Sequence, residues 1–285
     1  MSLVHTRISA NGLSFHVAVA GPREGPLVML LHGFPEFWYG WRHQVDALAG
    51  AGYRVAMPDQ RGYGASDKPK GVHNYALDIL ADDVAAMAIA LGAGRFAVVG
   101  HDWGGMVAWQ LASRNSEDLI GAAILNAPHP ATFASYALTH PLQAMRSAYV
   151  ALFQLPWVPE TLLSARNCSA LALALTSTSR PDTFDDAELD QYRAAWSIDG
   201  ALTCMLNWYR AMPIARTSAA RIRVPVRIIW GDRDSALEKG LAGAGAACCD
   251  DAQVLHLRDA THWVHHEEVA AVNAALVDFL NLLHR

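Results

Sequence analysis

Asp102 is the residue of this chain best suited to act as a nucleophile. It is the middle residue of Gly-His-Asp-Trp-Gly at 100–104, between a buried-strand pattern at 96–99 and a helical pattern at 106–114. The small residues at both ends of this pentapeptide allow a sharp turn from strand to helix, which would raise the side chain of Asp102 above the sheet. A carboxylate in that position attacks an electrophilic sp3 carbon and becomes an alkyl ester. Serine would have to replace Asp102 for a serine-type esterase, so that class is excluded.

A carboxylate nucleophile of this kind needs a histidine as base and an acid that orients it, and the chain offers both in the expected order. His262 lies in the predicted loop between the last strand and the last helix. His265 and His266 follow closely, and any one of 13 histidines can be a surface or capping residue. Asp232 and Asp234 come directly after a predicted strand, where one of them could simply cap the next helix. We predict that His262 is the base and that Asp234 is the orienting acid.

Two backbone N–H groups must converge on the oxygen of the tetrahedral intermediate, and each such donor is typically worth about 10²- to 10³-fold in rate. One donor is expected from Trp103, the residue after the nucleophile. The other is expected from Phe34, which follows His32-Gly33 at the end of another buried strand. The His-Gly pair could simply form a tight turn, and such a turn is compatible with a role of Phe34 as an oxyanion donor.

Strands and helices alternate along the chain and would position these residues. Two alternating segments around Asn11-Gly12 predict an antiparallel hairpin. Continuous apolar runs, typical of strands buried on both faces of a parallel sheet, then follow at intervals. The predicted strands are 6–10, 13–20, 26–32, 53–57, 96–99, 119–125, 226–230 and 254–257, and the predicted helices are 41–50, 75–91, 106–114 and 267–283. This order predicts an α/β chain with a mostly parallel, doubly wound sheet of about eight strands.

The alternation is interrupted between residues 131 and 221, which contain no strand pattern. This segment is rich in Ala, Leu and aromatic residues, and prolines break it into several helical stretches. We therefore predict a helical cap domain at 131–221, inserted into a core formed by 1–130 and 222–285. Ligands bind beyond the carboxyl ends of the strands in open α/β sheets, so the cap is expected to cover that edge.

Composition narrows the classes of function. The chain has 285 residues, 52% of them hydrophobic and 17% charged, which is enough for one large α/β core with an inserted subdomain. Its formal net charge of -5 comes without a Lys/Arg cluster, so a nucleic-acid partner is not expected. The N-terminal residues lack a signal-peptide pattern, the apolar runs are too short to span a membrane, and the four cysteines show no metal spacing. We expect a reduced, cytoplasmic protein.

Five motifs occur in a fixed order along the chain. They are His-Gly-Phe-Pro-Glu at 32–36, Asp-Gln-Arg-Gly-Tyr-Gly-Ala-Ser-Asp at 59–67, Gly-His-Asp-Trp-Gly-Gly at 100–105, Gly-Asp-Arg-Asp at 231–234 and His-Trp at 262–263. The set resembles the epoxide hydrolases of the α/β-hydrolase fold, and the resemblance extends from about Val4 to the C-terminus. It implies that fold, with a helical cap, and hydrolysis of an epoxide to a vicinal diol through a covalent ester on Asp102. It also implies that no metal or organic cofactor is required.

Two tyrosines of the predicted cap take a role only through this resemblance. Epoxide hydrolases of this kind hold the epoxide oxygen with two cap tyrosines. Residues 147–156 resemble the segment around the first, and residues 206–212 resemble the segment around the second, which assigns the roles to Tyr149 and Tyr209. A tyrosine on an apolar helix face is otherwise more often a core residue with a satisfied hydroxyl.

Aromatic residues near the motifs favour a lipophilic epoxide over a small polar one. The predicted pocket residues are Phe34, Trp38, Trp103, Phe133, Phe153, Trp157, Trp208 and Trp263. Some of these must simply fill the core. The expected partners are therefore a small lipophilic epoxide and water, bound by a monomer or homodimer. The chain departs from the family at Thr261, where glycine is common, and the Gly/Ala/Cys-rich stretch 240–249 has no assigned role.

The nearest alternative is a haloalkane dehalogenase, which uses the same Asp, His and acid. Trp103 does not distinguish an epoxide hydrolase from a dehalogenase, because dehalogenases use that indole N–H to hold halide. Their second halide donor is, in one large subgroup, an Asn after His-Gly, where this chain has Phe34, and paired tyrosines have no purpose in halide departure. Fluoroacetate-type dehalogenases place Arg after the nucleophile, where this chain has Trp103. A more distant alternative, a non-catalytic ligand-binding module, would be expected to lose part of the triad or the water base.

Overall fold

A sheet of eight strands forms the centre of this computed structural model, which describes residues 3–284. The strands are β1 Val4–Ala10, β2 Leu13–Ala20, β3 Leu27–Leu31, β4 Arg54–Pro58, β5 Phe96–His101, β6 Leu119–Leu125, β7 Val226–Gly231 and β8 Ala252–Leu257. Their order is β1-β2-β4-β3-β5-β6-β7-β8. β2 pairs antiparallel with β1 and β4, and the other neighbours are parallel. The mostly parallel, doubly wound sheet predicted from the sequence is confirmed.

Helices flank the sheet and fill the segment between β6 and β7. They are α1 Val45–Gly50, α2 Leu77–Ala90, α3 Asp102–Ser113, α4 Pro130–Thr139, α5 Pro141–Arg146, α6 Tyr149–Phe153, α7 Val158–Thr178, α8 Asp186–Trp196, α9 Ala201–Arg210, α10 Gly240–Ala246, α11 Val264–Glu267 and α12 Val269–Leu283. Helices α4 to α9 all lie in the segment predicted to be the cap, whose boundaries at 131 and 221 stay a prediction. Within residues 3–284, no helix has both the length and the apolar character needed to cross a membrane.

Successive side chains of the central strands point to opposite faces of the sheet, and each face has its own hydrophobic core. Leu27, Met29 and Leu31 of β3 belong to one buried cluster, which includes residues of α2 and α3. Val28 and Leu30 of the same strand belong to a second cluster, which includes residues of α1 and α12. A strand that is buried on both faces reads as a continuous apolar run, which is why β3 and β5 are recognisable in the sequence.

The register of β3 and β5 sets the position of the catalytic loops. The two strands are parallel, and Leu31 pairs with Gly100 at their carboxyl ends. The loop that begins at His32 and the turn around Asp102 therefore leave the sheet side by side. This juxtaposition brings the predicted oxyanion donor Phe34 to the predicted nucleophile.

Several predicted helices have different limits in the structure. The helix predicted at 41–50 is a 3-10 helix, Trp38–Trp41, followed by α1. The helix predicted at 75–91 begins only at Leu77, because Ala76 is extended. The last predicted helix is divided at Glu268, whose backbone is not helical, into α11 and α12. The unassigned stretch 240–249 contains α10, which packs beside β7 and β8.

A buried ion pair fastens the motif at 59–67 to α2. The guanidinium of Arg61 donates to both carboxylate oxygens of Asp83 at 2.6 Å, and Asn11 donates to Asp83 at 2.7 Å. The side chains of Arg61 and Asp83 are only 5% and 3% exposed. The preceding residue, Asp82, makes a different kind of pair, since it is 56% exposed and binds Arg114 at 2.7 Å. Neighbouring aspartates of one helix thus form a buried pair and a surface pair.

These two pairs should differ sharply in their contribution to stability. Replacing Arg61 with Met leaves the buried carboxylate of Asp83 without its cation, which should lower the free energy of unfolding by about 3–5 kcal/mol. Replacing Arg114 with Met breaks a solvated pair and should lower it by less than about 1 kcal/mol. Urea unfolding of both variants measures the difference. Equal losses would show that burial does not govern the contribution of the Arg61–Asp83 pair.

Candidate active site

The predicted nucleophile lies at the junction of β5 and α3. Asp102 is the first residue of α3 and has a φ of 50°, in the left-handed region that non-glycine residues rarely adopt. Close packing around this turn explains two nearby glycines. A Cβ atom at Gly104 would overlap the carbonyl oxygen of Leu31, and a Cβ atom at Gly33 would overlap the side chain of Asp102. The turn is therefore held from both sides, and it places the carboxylate at the carboxyl edge of the sheet.

His262 lies between two carboxylates. Its Nδ1 is 2.7 Å from Oδ2 of Asp234, and its Nε2 is 3.5 Å from Oδ2 of Asp102. Asp234 follows β7 and His262 follows β8, so the parallel strands deliver both residues to the edge where β5 delivers Asp102. The structure thus brings together the three residues predicted to form the triad, in a site where the side chain of His262 is only 8% exposed.

Each charged group of this triad shifts the pKa of its partner. Burial alone would lower the pKa of His262, but the charges of Asp234 and Asp102, and hydrogen bonds to both, raise it to about 10. Burial alone would raise the pKa of Asp102, yet its hydrogen bond to His262 and the charge of that histidine hold it below its usual value. Burial also opposes ionisation of Asp234, whose pKa the charge of His262 lowers. At neutral pH the resting site therefore contains an imidazolium between two carboxylates.

Asn126 is a site residue that the sequence analysis missed. It is fully buried after β6, and its Nδ2 donates to Oδ2 of Asp234 at 2.8 Å. The other oxygen of Asp234 accepts from the N–H groups of Ala236 and Leu237 at 2.8 and 2.9 Å. These donors fix the carboxylate that holds His262. The sequence offers only a weak signal for this role, a single asparagine at the end of a buried strand.

Asp232, the other acid considered from the sequence, does not contact His262. Its carboxylate is instead 2.6 Å from Nδ1 of His256, at the partly exposed edge formed by β8. Side chains two residues apart after a strand point in different directions here, because Asp234 turns back under the backbone N–H groups of the following loop.

The predicted oxyanion donors adjoin the nucleophile. The N–H of Phe34 donates to Oδ1 of Asp102 at 2.9 Å. Trp103 is the second residue of α3, and N–H groups in the first turn of a helix have no acceptor within that helix. The N–H of Phe34 thus already binds the carboxylate, and the N–H of Trp103, the residue after Asp102, has no acceptor within its own helix.

The two cap tyrosines face this carboxylate across a cavity. Tyr149 of α6 and Tyr209 of α9 line the same cavity as Asp102, and their ring centroids are 6.0 Å apart. Burial and then the charge of Asp102 raise the pKa of Tyr149. Burial, followed by the charges of Tyr149 and Asp102, raises the pKa of Tyr209 well above its ordinary value. Both hydroxyls are therefore protonated at neutral pH and can donate to an oxygen in the cavity.

The cavity has a volume of about 400 Å³ and lies between the catalytic loops and α4 to α7 and α9. Five of the eight predicted pocket residues line it: Phe34, Trp103, Phe133, Phe153 and Trp263. Lining residues that the sequence analysis did not name include Met106, Arg146, Ser147, Met212, Ser235 and Leu237. The walls are mainly apolar, which suits a lipophilic ligand with a few fixed polar contacts.

Three predicted pocket residues do not line the cavity. Trp38 lies on the hairpin side of its loop, where its ring packs against His5 at a centroid distance of 4.8 Å. Trp157 is 80% exposed at the protein surface. Trp208 is buried behind the cavity, and its indole N–H donates to the carbonyl of Arg61 at 3.1 Å. Successive residues of a helix point about 100° apart, so Trp208 cannot share the direction of Tyr209.

His265 and His266, which follow the last motif, form a buried cluster around Glu36. One carboxylate oxygen of Glu36 accepts from Tyr192 and His266 at 2.7 and 2.8 Å, and the other lies 3.1 Å from His265. His101 completes the cluster and donates through Nε2 to the carbonyl of His262 at 2.9 Å. Ligand atoms of Glu36, His101 and His265 are close enough to hold a metal ion. The hydrogen bonds give these groups a different use, which is to join the loops on both sides of the nucleophile.

Thr261, which departs from the common glycine, is anchored by a second carboxylate. Its N–H and its hydroxyl donate to the two oxygens of Glu267, each at 2.7 Å. Oε1 of Glu267 also accepts from the N–H of Arg180 at 2.7 Å, in the segment between α7 and α8. The threonine hydroxyl therefore fixes the loop immediately before His262, an interaction that glycine could not make.

Known proteins resemble this chain over nearly its whole length. A family model described as alpha/beta hydrolase fold matches residues 26–269. AB hydrolase superfamily protein YfhM of Bacillus subtilis is 42% identical over 96% of both chains. Epoxide hydrolase 3 of Xenopus tropicalis is 36% identical over 99% of this chain and 79% of its own length. A solved structure of an epoxide hydrolase from metagenomes of hot environments has a TM-score of 0.87 and 34% identity, covering 98% of this chain and 99% of its own.

These similarities agree with the site geometry. The chain matches epoxide hydrolases in sequence and in fold, and it places a carboxylate, a histidine and two tyrosines around one apolar cavity. The chain belongs to the alpha/beta hydrolase fold family and, within it, to the epoxide hydrolases.

Proposed function

We propose that this protein hydrolyses lipophilic epoxides to vicinal diols through a covalent ester on Asp102. One observation carries the proposal. The carboxylate of Asp102 is joined to His262 and Asp234 on one side and faces two protonated tyrosines across an apolar cavity on the other. The names of the relatives add independent support, since several of them are epoxide hydrolases.

The first step forms the ester. An oxygen of Asp102 bonds to one epoxide carbon from the side opposite the ring oxygen, the C–O bond of that same carbon breaks, and its bonding electrons pass to the ring oxygen. Tyr149 and Tyr209 donate hydrogen bonds to that oxygen, and one of them supplies a proton, help worth about 10²- to 10⁴-fold in rate. The product is a hydroxyalkyl ester of Asp102, with a phenolate left on one tyrosine.

Formation of the ester also prepares the base. The charge of Asp102 is one of the factors that raise the pKa of His262, and the ester is neutral. The pKa of His262 therefore falls when the nucleophile is consumed. The imidazolium can then return its proton to the tyrosine phenolate, through solvent if needed, which leaves a neutral imidazole beside the new ester. The base is thus set free only after there is an ester to hydrolyse.

The second step releases the diol. Neutral His262 takes a proton from water, and the hydroxide bonds to the carbonyl carbon of the ester. The N–H groups of Phe34 and Trp103 stabilise the oxyanion. The C–O bond to the alkyl group breaks and His262 gives its proton to the leaving oxygen. The remaining proton of the water molecule, now on the carboxylic acid of Asp102, passes to His262, which restores the resting ion pair while Asp234 stabilises the imidazolium.

Neither alternative function gains support. A dehalogenase would need a second halide donor where Phe34 contributes only its backbone, and it has no use for two tyrosine hydroxyls. A non-catalytic module has no need for an intact series in which His262 bonds Asp234 at 2.7 Å and lies 3.5 Å from Asp102. The epoxide hydrolases that this chain resembles give no reason to prefer either.

The proposed reaction is tested by a parallel assay with styrene oxide and a short bromoalkane. The purified protein should form the diol of styrene oxide and release no bromide, and Asp102→Ala should abolish diol formation because no other carboxylate can form the ester. Chromatography of the diol and a halide electrode provide the measurements. Bromide release at a comparable rate, or substantial turnover by the variant, would contradict the proposal.

Removing the base should stop the reaction at the ester. His262→Gln retains Asp102 and both tyrosines, so it should react once with an epoxide and then hydrolyse the ester far more slowly. Intact-mass spectrometry should show a gain equal to one epoxide, and peptide mapping should place it on Asp102. The Asp102→Ala variant is the control and should show no adduct. An unmodified His262→Gln protein would count against the role of His262 as the water base.

The two tyrosines should partly replace one another. Tyr149→Phe and Tyr209→Phe should each slow ester formation by less than the double variant, whose loss should reach about 10²- to 10⁴-fold because both hydroxyls serve one oxygen. Stopped-flow tryptophan fluorescence can follow this step, since Trp103 lies beside Tyr209 with ring centroids 4.9 Å apart. Tyr136→Phe is the matched cap control, because that ring stacks on His140 outside the cavity. An unaffected double variant would refute the assignment.

A further inference from the structure

The cavity is also lined by an arginine, Arg146, that has no carboxylate partner within residues 3–284. Arg146 is the last residue of α5 and is half-buried in the cavity wall. Among the lining residues in the described part of the chain it is the only Lys or Arg, and the other charged groups, Asp102 and His262, are paired with each other. The mechanism proposed above does not use it.

The guanidinium of Arg146 has spare donors. Its Nη1 donates to the backbone carbonyl of Asp234 at 3.0 Å, and within residues 3–284 this is the one hydrogen bond that the side chain makes. A guanidinium carries five N–H donors in a planar fork. The contact with Asp234 thus orients the fork and leaves most of its hydrogen-bonding capacity for a ligand.

Two hydroxyl side chains flank this contact. Ser147 follows Arg146, Ser235 follows Asp234, and both serines line the cavity. The Arg146–Asp234 hydrogen bond joins the two segments, so each serine is next in sequence to a residue of that contact, and the hydroxyl of Ser147 accepts from Nε2 of Gln143 at 3.0 Å. The three side chains form a polar corner in a cavity whose other walls are mainly aromatic and aliphatic.

The polar corner lies three residues before Tyr149 in the chain. Helix α5 ends at Arg146 and α6 begins at Tyr149, with a turn at Ser147 and Ala148 between them. Arg146, Tyr149, Val150 and Phe153 all line the cavity. Three residues span at most about 10 Å. A group bound by Arg146 would therefore be carried by the same small molecule whose epoxide oxygen contacts Tyr149.

We infer that Arg146, with Ser147 and Ser235, binds a carboxylate carried by the substrate a few bonds from its epoxide. This inference rests on the proposed function and narrows it from lipophilic epoxides in general to epoxides of carboxylic acids. A guanidinium fork binds a carboxylate through two parallel hydrogen bonds, and such contacts are stronger in a water-poor cavity than in solvent. Arg146 is then a specificity-determining residue that orients the epoxide toward Asp102.

A pair of substrates that differ in one charge tests the inference. The terminal epoxide of hexanoic acid would be compared with its methyl ester and with styrene oxide. The acid should have the higher kcat/KM with the wild-type protein. Arg146→Gln should lower kcat/KM for the acid by about 10- to 100-fold and change that for the neutral epoxides by less than about threefold. Arg146→Lys keeps the charge without the fork and should fall between them.

The control variant is Arg193→Gln, which removes a cap arginine that pairs with Asp190 away from the cavity and should leave all three substrates unaffected. Equal losses for acid and ester in Arg146→Gln would mean that Arg146 only supports the loop at Asp234, and would overturn the inference. So would a wild-type protein with no preference for the acid.

A binding measurement separates this inference from the proposed reaction. Calorimetry of the dihydroxyhexanoic acid product, which needs no turnover, should give binding to the wild-type protein that Arg146→Gln weakens by about 10- to 100-fold. Binding of this kind without hydrolysis of any epoxide would support the carboxylate site and contradict the proposed reaction. Turnover of the neutral epoxides with no effect of Arg146 on product binding would contradict the site alone.

Discussion

The placement of His262 between two carboxylates is the interaction on which the site depends. An imidazole beside one carboxylate is a base, but between Asp102 and Asp234 it is held as a cation with a pKa of about 10. In the proposed mechanism the resting site therefore keeps the nucleophile ionised and the base protonated. Formation of the ester on Asp102 removes one of the two negative charges, which lowers the pKa of His262. The proposed order of the two steps thus follows from electrostatics and needs no change of conformation.

Every nearby element serves to keep these three groups at one edge of the sheet. Parallel strands deliver the residues, glycines at 33 and 104 let the loops approach, and Asn126 with two backbone N–H groups fixes Asp234. The cap then closes the site with side chains rather than backbone. Tyr149 and Tyr209 pack edge-to-face with Phe153, at centroid distances of 5.4 and 5.0 Å, so the donors of the first step are held by an aromatic cluster. The core loops thus orient the charged residues, and the cap supplies the tyrosine hydroxyls together with the aromatic side chains around them.

The sequence was a good guide to whatever depends on local pattern. Buried parallel strands are continuous apolar runs, and the turn around Asp102 needs small residues at fixed spacing, so the sheet and this turn could be predicted. The positions of Tyr149 and Tyr209 came from resemblance, since nothing local distinguishes a cavity tyrosine from a core tyrosine. Trp38, Trp157 and Trp208 were wrong as pocket residues, because the direction of a side chain depends on helix phase and loop path. Asn126 and Arg146 were missed because their partners are about 90 to 110 residues distant in sequence.

Glu267 has a consequence for how molecules enter and leave. Its carboxylate is fully buried and is shared between Thr261, next to the base, and Arg180, at the rear of the cap. Lifting this part of the cap would strip a buried anion of its cation, a loss that typically costs about 3–5 kcal/mol. Arg42 and Glu188 pin the same side at 2.7 Å. Entry or exit that required lifting this side of the cap would meet that cost, although Glu267 does not line the cavity.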